Sequence, residues 1–319
     1  MQYLEKNGWN KLNYKGNIVS LKDFKENHLY MMRDDLIPFS FGGNKARKAV
    51  YFFKEIEKEN YNYIITYGSA SSNHCRIIAN LCKQRNLKCT IISTELEEKS
   101  YNRKMCEIFN AEIIVCNVNK VQETIEEQIQ KKREQGYKTY FIQGGGHGNL
   151  GTKAYVDAYK EINLYEQERG IQFDYIFHAS GTGTTQAGLI IGKLLHNDKA
   201  KIVGISIART LPRGRDIILE SIQEYLTETK LENINFQEEV EFIDDYRLGG
   251  YGQYNEEILK EIKETLCQEG IPLDTTYTGK AFWGMKQYIN KKQIRNKNIL
   301  FIHTGGTPIF FDHIKELKI

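Results

Sequence analysis

The most reactive candidate group in the sequence is the amine of Lys45, in the stretch "FGGNKARK" (41–48). It follows two glycines and an asparagine, directly after the mostly apolar run "LIPFSF" (36–41). Apolar surroundings lower the pKa of a lysine by desolvation and favour the neutral, nucleophilic amine. Such an amine can form a Schiff base with a carbonyl compound. The simpler alternative is a solvated lysine in the first turn of a helix.

A second stretch, "ASGTGTTQAG" (179–188), could hold a phosphate group. It follows an apolar run and opens a helical pattern, so the free amides and the dipole of the helix favour an anion there. Its glycines, Gly181 and Gly183, let the backbone curl, and its hydroxyl donors are Thr182, Thr184 and Thr185. It is not a P-loop, because no Gly-Lys-Ser/Thr follows, and it is not the dinucleotide fingerprint, because the position three after Gly183 is Gln186. An ordinary tight turn is the alternative.

The stretch "GSASSNHCR" (68–76) is typical of a strand end, a polar turn and a helix start. Ser72 or Asn73 suits the N-cap position. Alternatively, these side chains and the free amides face an anionic or phenolic ligand. Pyridoxal 5′-phosphate needs a lysine amine, a site for one phosphate group and donors around its ring. The three stretches together therefore point to that cofactor.

The elements around these stretches alternate between short β-rich runs and helical periods. Strands are predicted at 61–68, 88–93, 111–116, 138–143, 173–180, 200–208 and 298–306, and helices at 73–84, near 98–109, and at 120–135, 151–166, 184–196 and 255–268. This alternation predicts βαβ units and a parallel sheet. Ligands bind beyond the carboxyl ends of such strands, where the glycine- and hydroxyl-rich stretches lie.

Composition excludes several classes of function. The chain has 319 residues and a net charge of +3, and its basic residues are spread out, so we expect no nucleic-acid partner. No run approaches the roughly 18 apolar residues of a membrane span, and residues 1–16 show no apolar signal core. Six cysteines without a C-x-x-C pair are typical of reduced residues in a cytoplasmic protein that binds no metal.

The stretch "GHGNLG" (146–151) matches the pattern G-x-G-x-x-G literally. The acidic residue expected at the end of the next strand is missing, because that strand ends in "FHAS" (177–180). We therefore expect these glycines to allow close packing. A nicotinamide-dependent oxidoreductase is the minor alternative.

In register along the chain, these motifs resemble the fold type II pyridoxal-phosphate enzymes (tryptophan synthase beta-like), in particular the branch of 1-aminocyclopropane-1-carboxylate deaminase and D-cysteine desulfhydrase. The matching motifs are "RDDL", "GGNKARK", "SSNHCR", "QGGGHGNLGTKAY", "SGTGTTQAG", "GGYG", "LDTTYTGKA" and "HTGGTP". The resemblance implies an α/β fold of two open, twisted, mostly parallel sheets with flanking helices. A small domain (48–160) would be inserted in a large cofactor-binding domain (1–47 and 161–319).

The resemblance also implies roles for single residues in catalysis. Lys45 would bind the cofactor covalently and move the Cα proton of the substrate. Ser72 would contact the substrate carboxylate or lie on a proton-transfer path. His74 stands where the family usually has a glutamine, so it would either replace that glutamine as a donor to the substrate or indicate another substrate or an added acid/base step. Tyr251 and Tyr277 match the two active-site tyrosines of the family, whose phenols donate to the substrate or assist proton transfer.

The cofactor contacts implied by the resemblance are a hydrogen bond from Asn73 to the ring hydroxyl and a phosphate site made of Gly181, Thr182, Gly183, Thr184 and Thr185. Thr278 and Thr304 stand where the deaminase branch has a glutamate and a leucine. A hydroxyl cannot keep a pyridine nitrogen protonated as a carboxylate can. The weaker electron sink still suffices for β-elimination, so the chain resembles the D-cysteine desulfhydrase side more closely.

We therefore expect a lyase that depends on pyridoxal phosphate and catalyses α,β-elimination on a small D-amino acid such as D-cysteine. Its products would be pyruvate, ammonia and the leaving group. The alternatives are a β-replacement synthase, a 1-aminocyclopropane-1-carboxylate deaminase, and a non-catalytic ligand-binding protein on the same fold. Family members are often dimers, so the resemblance implies a homodimer.

Overall fold

A computed structural model describes residues 17–94, 100–231 and 234–317. Its strands are β1 (Ile18–Ser20), β2 (His28–Met32), β3 (Tyr63–Tyr67), β4 (Lys88–Ser93), β5 (Glu112–Val115), β6 (Thr139–Ile142), β7 (Tyr175–Ser180), β8 (Lys201–Ser206), β9 (Glu241–Ile243) and β10 (Asn298–Ile302). Its α-helices are α1 (Asn44–Lys58), α2 (Asn73–Gln84), α3 (Tyr101–Ile108), α4 (Val121–Glu134), α5 (Asn149–Arg169), α6 (Thr184–Leu195), α7 (Arg213–Thr229), α8 (Glu256–Glu269), α9 (Thr278–Lys291) and α10 (Thr307–Asp312). The expectation about residues 1–16 lies outside the described residues.

The strands form two sheets, of six and four strands. The larger has the order β1-β2-β10-β7-β8-β9, and only the pairing of β1 with β2 is antiparallel. The smaller has the order β5-β4-β3-β6 and is parallel throughout. The predicted α/β class with two mostly parallel sheets is confirmed. All four strands of the smaller sheet fall between β2 and β7 of the larger one along the chain.

Two glycines of α6 let this helix lie directly on α5. A Cβ atom at Gly188 would come within 2.3 Å of the carbonyl oxygen of Thr152, and one at Gly192 within 2.3 Å of Cβ of Tyr159. Only a residue without a side chain fits at such separations, and the rest of the interface is buried apolar packing. This contact fixes the axis of α6, and with it the position of its N-terminus after β7.

Two of the three glycines of the "GHGNLG" stretch, Gly146 and Gly151, also serve close packing. A Cβ atom at Gly151 would lie 2.0 Å from the carbonyl oxygen of Gly146, and one at Gly146 would touch Lys48 and Phe52 of α1. The loop before α5 therefore packs on itself and on α1. In the part of the chain that the structure describes, no helix is long and apolar enough to cross a membrane.

Helix α1 is anchored by a buried charge network around Arg47. The guanidinium Nη2 donates to Oδ1 of Asp34 at 2.6 Å, and Nη1 donates to Oε1 of Glu161 at 2.6 Å. The hydroxyl of Tyr155 donates to Oδ2 of Asp34, also at 2.6 Å. Arg47 is 2% exposed and Asp34 is fully buried. The network joins α1, α5 and the segment after β2.

We expect Asp34→Asn to lower the free energy of unfolding by about 3 kcal/mol, because it leaves a buried guanidinium without one of its two carboxylates. The measurement is urea unfolding at pH 7. Asp245→Asn is the matched control, because Asp245 pairs with Lys291 at 2.8 Å on the surface. Its loss should stay below about 1 kcal/mol. Equal losses for the two variants would show that the network does not anchor the helix.

Candidate active site

A cavity of about 610 Å³ lies where the carboxyl ends of strands from both sheets meet. Its wall includes the residues that follow β3, β6, β7, β8 and β10. The site residues predicted from the sequence that line it are Lys45, Ser72, Asn73, His74, Gly181, Thr182, Gly183, Thr185, Tyr251, Tyr277 and Thr304. Thr184 and Thr278 are not part of the described wall.

Lys45 is brought to the cavity by the start of α1. The chain can approach the loop after β10 only because position 43 is glycine, where a Cβ atom would lie 2.6 Å from the carbonyl oxygen of Thr304. The amide of Asn44 donates to that same carbonyl oxygen at 3.0 Å. The amine of Lys45 donates to the carbonyl oxygen of Gly145 at 2.9 Å. Burial lowers the pKa of Lys45 to about 8.

Lys48, one turn further along α1, was not singled out from the sequence. It is 1% exposed, and its amine donates to the hydroxyl oxygen of Thr184 at 2.7 Å. Burial, and then the charge of Lys45, hold the pKa of Lys48 well below its usual value. The hydroxyl oxygen of Thr184 therefore accepts its hydrogen bond from Lys48 beneath the cavity wall, and not from a group inside the cavity. The spacing of three residues from Lys45 was the available signal, because residues i and i+3 share a helix face.

The N-terminus of α6 is open to an anion. Gly183 takes the left-handed φ of 92° before the helix, and no side chain caps the first turn. Among the described residues, the amides of that turn therefore have no side-chain acceptor, and the helix dipole adds positive potential. Arg209, whose guanidinium donates to the carbonyl oxygen of Gly181, also lines the cavity. The predicted phosphate loop therefore has the geometry and the charge that an anion requires.

Two phenols and a hydroxyl form a chain on the other side of the cavity. The hydroxyl groups of Tyr251 and Tyr277 are 2.7 Å apart, and the hydroxyl of Tyr251 is 3.1 Å from Oγ of Ser69. Burial raises the pKa of both tyrosines, so both phenols stay protonated at neutral pH. Tyr251 is 38% exposed, which places the chain at the cavity mouth.

Of the two N-cap candidates in the sequence, Ser72 and Asn73, the structure shows Ser72 at the start of α2. Its Oγ accepts a hydrogen bond from the amide of Cys75 at 3.2 Å. Next to the cap, Nε2 of His74 lies 2.9 Å from Oγ1 of Thr66. That hydroxyl already donates its hydrogen to the carbonyl oxygen of Ile142 at 2.7 Å, so it can only accept from His74. Nε2 therefore carries the ring hydrogen, and Nδ1 is an acceptor. Burial and the nearby lysines hold the pKa of His74 well below its usual value.

His178, another residue missed from the sequence, is fully buried in the cavity wall. Its Nδ1 lies 3.0 Å from the carbonyl oxygen of Ala179 and must carry the hydrogen, because a carbonyl only accepts. Nε2 has no partner among the described residues, and burial lowers the pKa of His178 to about 4. Its place inside the apolar run "YIFHAS" (175–180) hid it from pattern reasoning.

The two threonines expected near the ring nitrogen are separated in the structure. Thr304 lines the cavity, whereas the hydroxyl of Thr278 donates to Oδ2 of Asp274 at 2.7 Å. Asp274 also accepts from the amides at the start of α9, so Thr278 helps to begin the helix that follows Tyr277. Of the described residues that line the cavity, none is acidic.

The arrangement fits pyridoxal phosphate. An amine with a lowered pKa suits an aldehyde, and an uncapped helix N-terminus beside an arginine suits a phosphate group. The wall also offers an unpartnered acceptor at His178 and hydroxyl or amide groups from Ser72, Asn73 and Thr304. No group of histidine, cysteine or acidic residues in the described ranges could hold a metal ion.

Comparisons with known proteins agree with this chemistry. The chain is 30% identical over 293 residues to a protein named putative 1-aminocyclopropane-1-carboxylate deaminase from Pyrococcus abyssi, covering 91% of this chain and 87% of the relative. It is 31% identical over 306 residues to a D-cysteine desulfhydrase from Klebsiella pneumoniae, covering 93% and 92%. The crystal structure of an ACC deaminase homologue superposes with a TM-score of 0.86 at 30% identity, covering 95% of this chain and 92% of that one. Residues 15–305 match the family described as pyridoxal-phosphate dependent enzyme, so the chain belongs to this family and its cofactor is pyridoxal phosphate.

Proposed function

We propose that this protein is a lyase that eliminates the β-substituent of a small D-amino acid, with D-cysteine as the reference substrate. The products are then pyruvate, ammonia and sulfide. The observation that carries the proposal is a cavity that joins the amine of Lys45 to an anion-binding helix N-terminus and whose described wall has no acidic residue. The relatives named D-cysteine desulfhydrase support the choice of substrate.

Lys45 is the catalytic base in this proposal. Its Nζ binds the cofactor and then removes the proton from Cα of the substrate, and the lowered pKa keeps a useful fraction of the amine neutral. Pyridoxal phosphate supplies the electron sink that makes Cα acidic. The described wall has no carboxylate that could pair with the ring nitrogen, so we assign this contact to the hydroxyl of Thr304. A hydroxyl gives a weaker sink, which suffices when the β-substituent departs with its electrons.

The phosphate group is held, in this proposal, by the uncapped first turn of α6 and its preceding loop, with Arg209 at the side. The contributing residues are Gly181, Thr182, Gly183 and Thr185. Thr184 acts from behind them, because its hydroxyl binds Lys48. Asn73 donates to the ring oxygen, an assignment that its position in the wall supports.

The substrate carboxylate is assigned to the hydroxyl of Ser72 at the start of α2, where the helix dipole favours an anion. His74 contacts the substrate through Nδ1, which accepts a hydrogen bond from an N–H or S–H group, because Nε2 already donates to Thr66. The leaving sulfur takes its proton from Tyr277. The hydrogen-bonded chain through Tyr251 to Ser69 then restores that proton from solvent at the cavity mouth. The raised pKa of each phenol keeps both protonated before the reaction.

The proposal extends to the organisation of the protein. The smaller sheet and its helices form the small domain (48–160), and the remaining segments, 1–47 and 161–319, form the large one. The strand order along the chain supports this division. Six free cysteines support a cytoplasmic location. The homodimer implied by the resemblance is tested by analytical ultracentrifugation.

The decisive experiment is release of sulfide and pyruvate from D-cysteine by the cofactor-loaded protein, with L-cysteine alongside. We expect release from the D-isomer. Lys45→Ala should lower the rate by more than about a thousandfold, because it removes both the cofactor attachment and the base. Lys54→Ala, an exposed residue on the same helix, is the matched control and should keep the activity.

Turnover by Lys45→Ala at the normal rate would refute the mechanism. A new amino acid formed in the presence of an added thiol, without pyruvate, would instead indicate a β-replacement synthase. Rapid release of 2-oxobutanoate from 1-aminocyclopropane-1-carboxylate would show that the ring opens although the described cavity wall has no carboxylate. Binding of D-cysteine without turnover would indicate a ligand-binding protein.

The pKa of Lys45 predicts how fast the cofactor-free protein captures pyridoxal phosphate. Below about pH 8 the rate should rise about tenfold per pH unit, because only the neutral amine reacts, and above about pH 8 it should level off. Stopped-flow absorption between pH 7 and 10 measures this. Nα-acetyl-lysine, an amine of ordinary pKa, serves as control, and its rate should keep rising to about pH 10. A protein that follows the control would show that burial does not activate Lys45.

A further inference from the structure

The side-chain amide of Asn73 is held by two residues that are not in the described cavity wall. Its Oδ1 accepts from Nη1 of Arg76 at 2.9 Å and from Nδ2 of Asn102 at 3.0 Å. Arg76 lies one turn further along α2, and Asn102 lies in α3. All three side chains are buried.

These contacts allow one orientation of each amide. A guanidinium only donates, so the atoms of Asn73 and Asn102 that face Nη1, at 2.9 and 2.7 Å, must be oxygens. The nitrogen of Asn102 then faces two acceptors, Oδ1 of Asn73 and the carbonyl oxygen of Ser71 at 2.7 Å. Rotating either amide by half a turn would place donor against donor.

Because Oδ1 of Asn73 already accepts two hydrogen bonds, Nδ2 is the group that remains for the cavity that Asn73 lines. We propose that Arg76 and Asn102 form a clamp that fixes Asn73 as a hydrogen-bond donor toward the ring oxygen of pyridoxal phosphate. Both are positioning residues, since they act through Asn73. This inference rests on the role given to Asn73 in the proposed function.

The environment of Arg76 shows that packing alone does not explain this residue. It is fully buried, and its Nε and Nη2 have no partner in the described ranges. Burial lowers the pKa of Arg76 to about 10, and the ring of Phe41 lies 5.7 Å from its guanidinium carbon. A buried charge that has no carboxylate among the described residues is unfavourable, so an apolar side chain would serve better there if only volume mattered.

The test is Asn102→Asp, which keeps the shape of the side chain and gives Arg76 a carboxylate. Its carboxylate cannot donate to Oδ1 of Asn73, repels that oxygen and competes with it for Nη1 of Arg76. The amide of Asn73 should therefore leave the orientation in which its nitrogen donates to the ring oxygen. We expect the dissociation constant of pyridoxal phosphate to rise about tenfold, the effect of one lost hydrogen bond. The pH midpoint of the visible absorption of the bound cofactor should rise by about one unit, because the deprotonated form loses its donor. Asn102→Ala, which adds no charge, is the second variant.

A double-mutant cycle separates the clamp from a general structural effect. With Asn73→Ala already present, the Asn102 variants should change neither the dissociation constant nor the midpoint. Cys106→Ala, buried in the same helix but outside the clamp, should leave both within about twofold of the parent.

Equal effects of Asn102→Asp with and without Asn73, or no effect in the parent protein, would overturn the clamp. So would an unchanged dissociation constant for Asn73→Ala, which would also remove the role of Asn73. Neither readout uses a substrate, so a protein that is inactive on D-cysteine would refute the proposed function and leave the clamp standing.

Discussion

The two carboxylates around Arg47 set the geometry on which the site depends. Arg47 lies two positions after Lys45, so the two side chains leave opposite faces of α1. When Arg47 is held by Asp34 and Glu161, Lys45 must point into the cavity. The backbone strengthens this, because the amide of Gly43 donates to the carbonyl oxygen of Asp34 at 2.7 Å. Because a buried ion pair gives little net stability over packed apolar residues, we infer that this one is retained for the orientation that it gives to α1.

The cavity combines several basic groups with no acidic residue among its described lining. Lys45, His74 and His178 are each held toward the neutral form, mainly by burial. Lys48 beneath the wall behaves in the same way. Buried bases in their neutral form need no counterion, and they gain protons more readily once a dianionic group binds nearby. The charge distribution of the cavity is therefore complementary to a negatively charged ligand.

Local sequence predicted those parts of the fold that local interactions determine. Helix 73–84 coincides with α2, because an amphipathic pattern and an N-cap serine mark its start. The strand predicted at 298–306 ends at Ile302, and Gly305 and Gly306 after it take left-handed φ values, which a strand does not accommodate. The hydroxyl of Thr184 points toward Lys48, which is distant in sequence, and the hydroxyl of Thr278 points toward Asp274, four positions before it. Neither orientation could be read from the motif that contains the threonine. Asn102 and His178 stand in no motif, so only the tertiary structure could reveal them.

The hydrogen bond between Lys45 and Gly145 has a topological meaning as well. The two residues are 100 positions apart, and the whole four-stranded sheet lies between them in the chain. The chain enters that sheet through α1 and leaves it through the loop before α5. This bond therefore joins the start and the end of the inserted segment. In the proposed function the same nitrogen binds the cofactor, so cofactor binding would replace the hydrogen bond that joins the start and the end of the inserted segment.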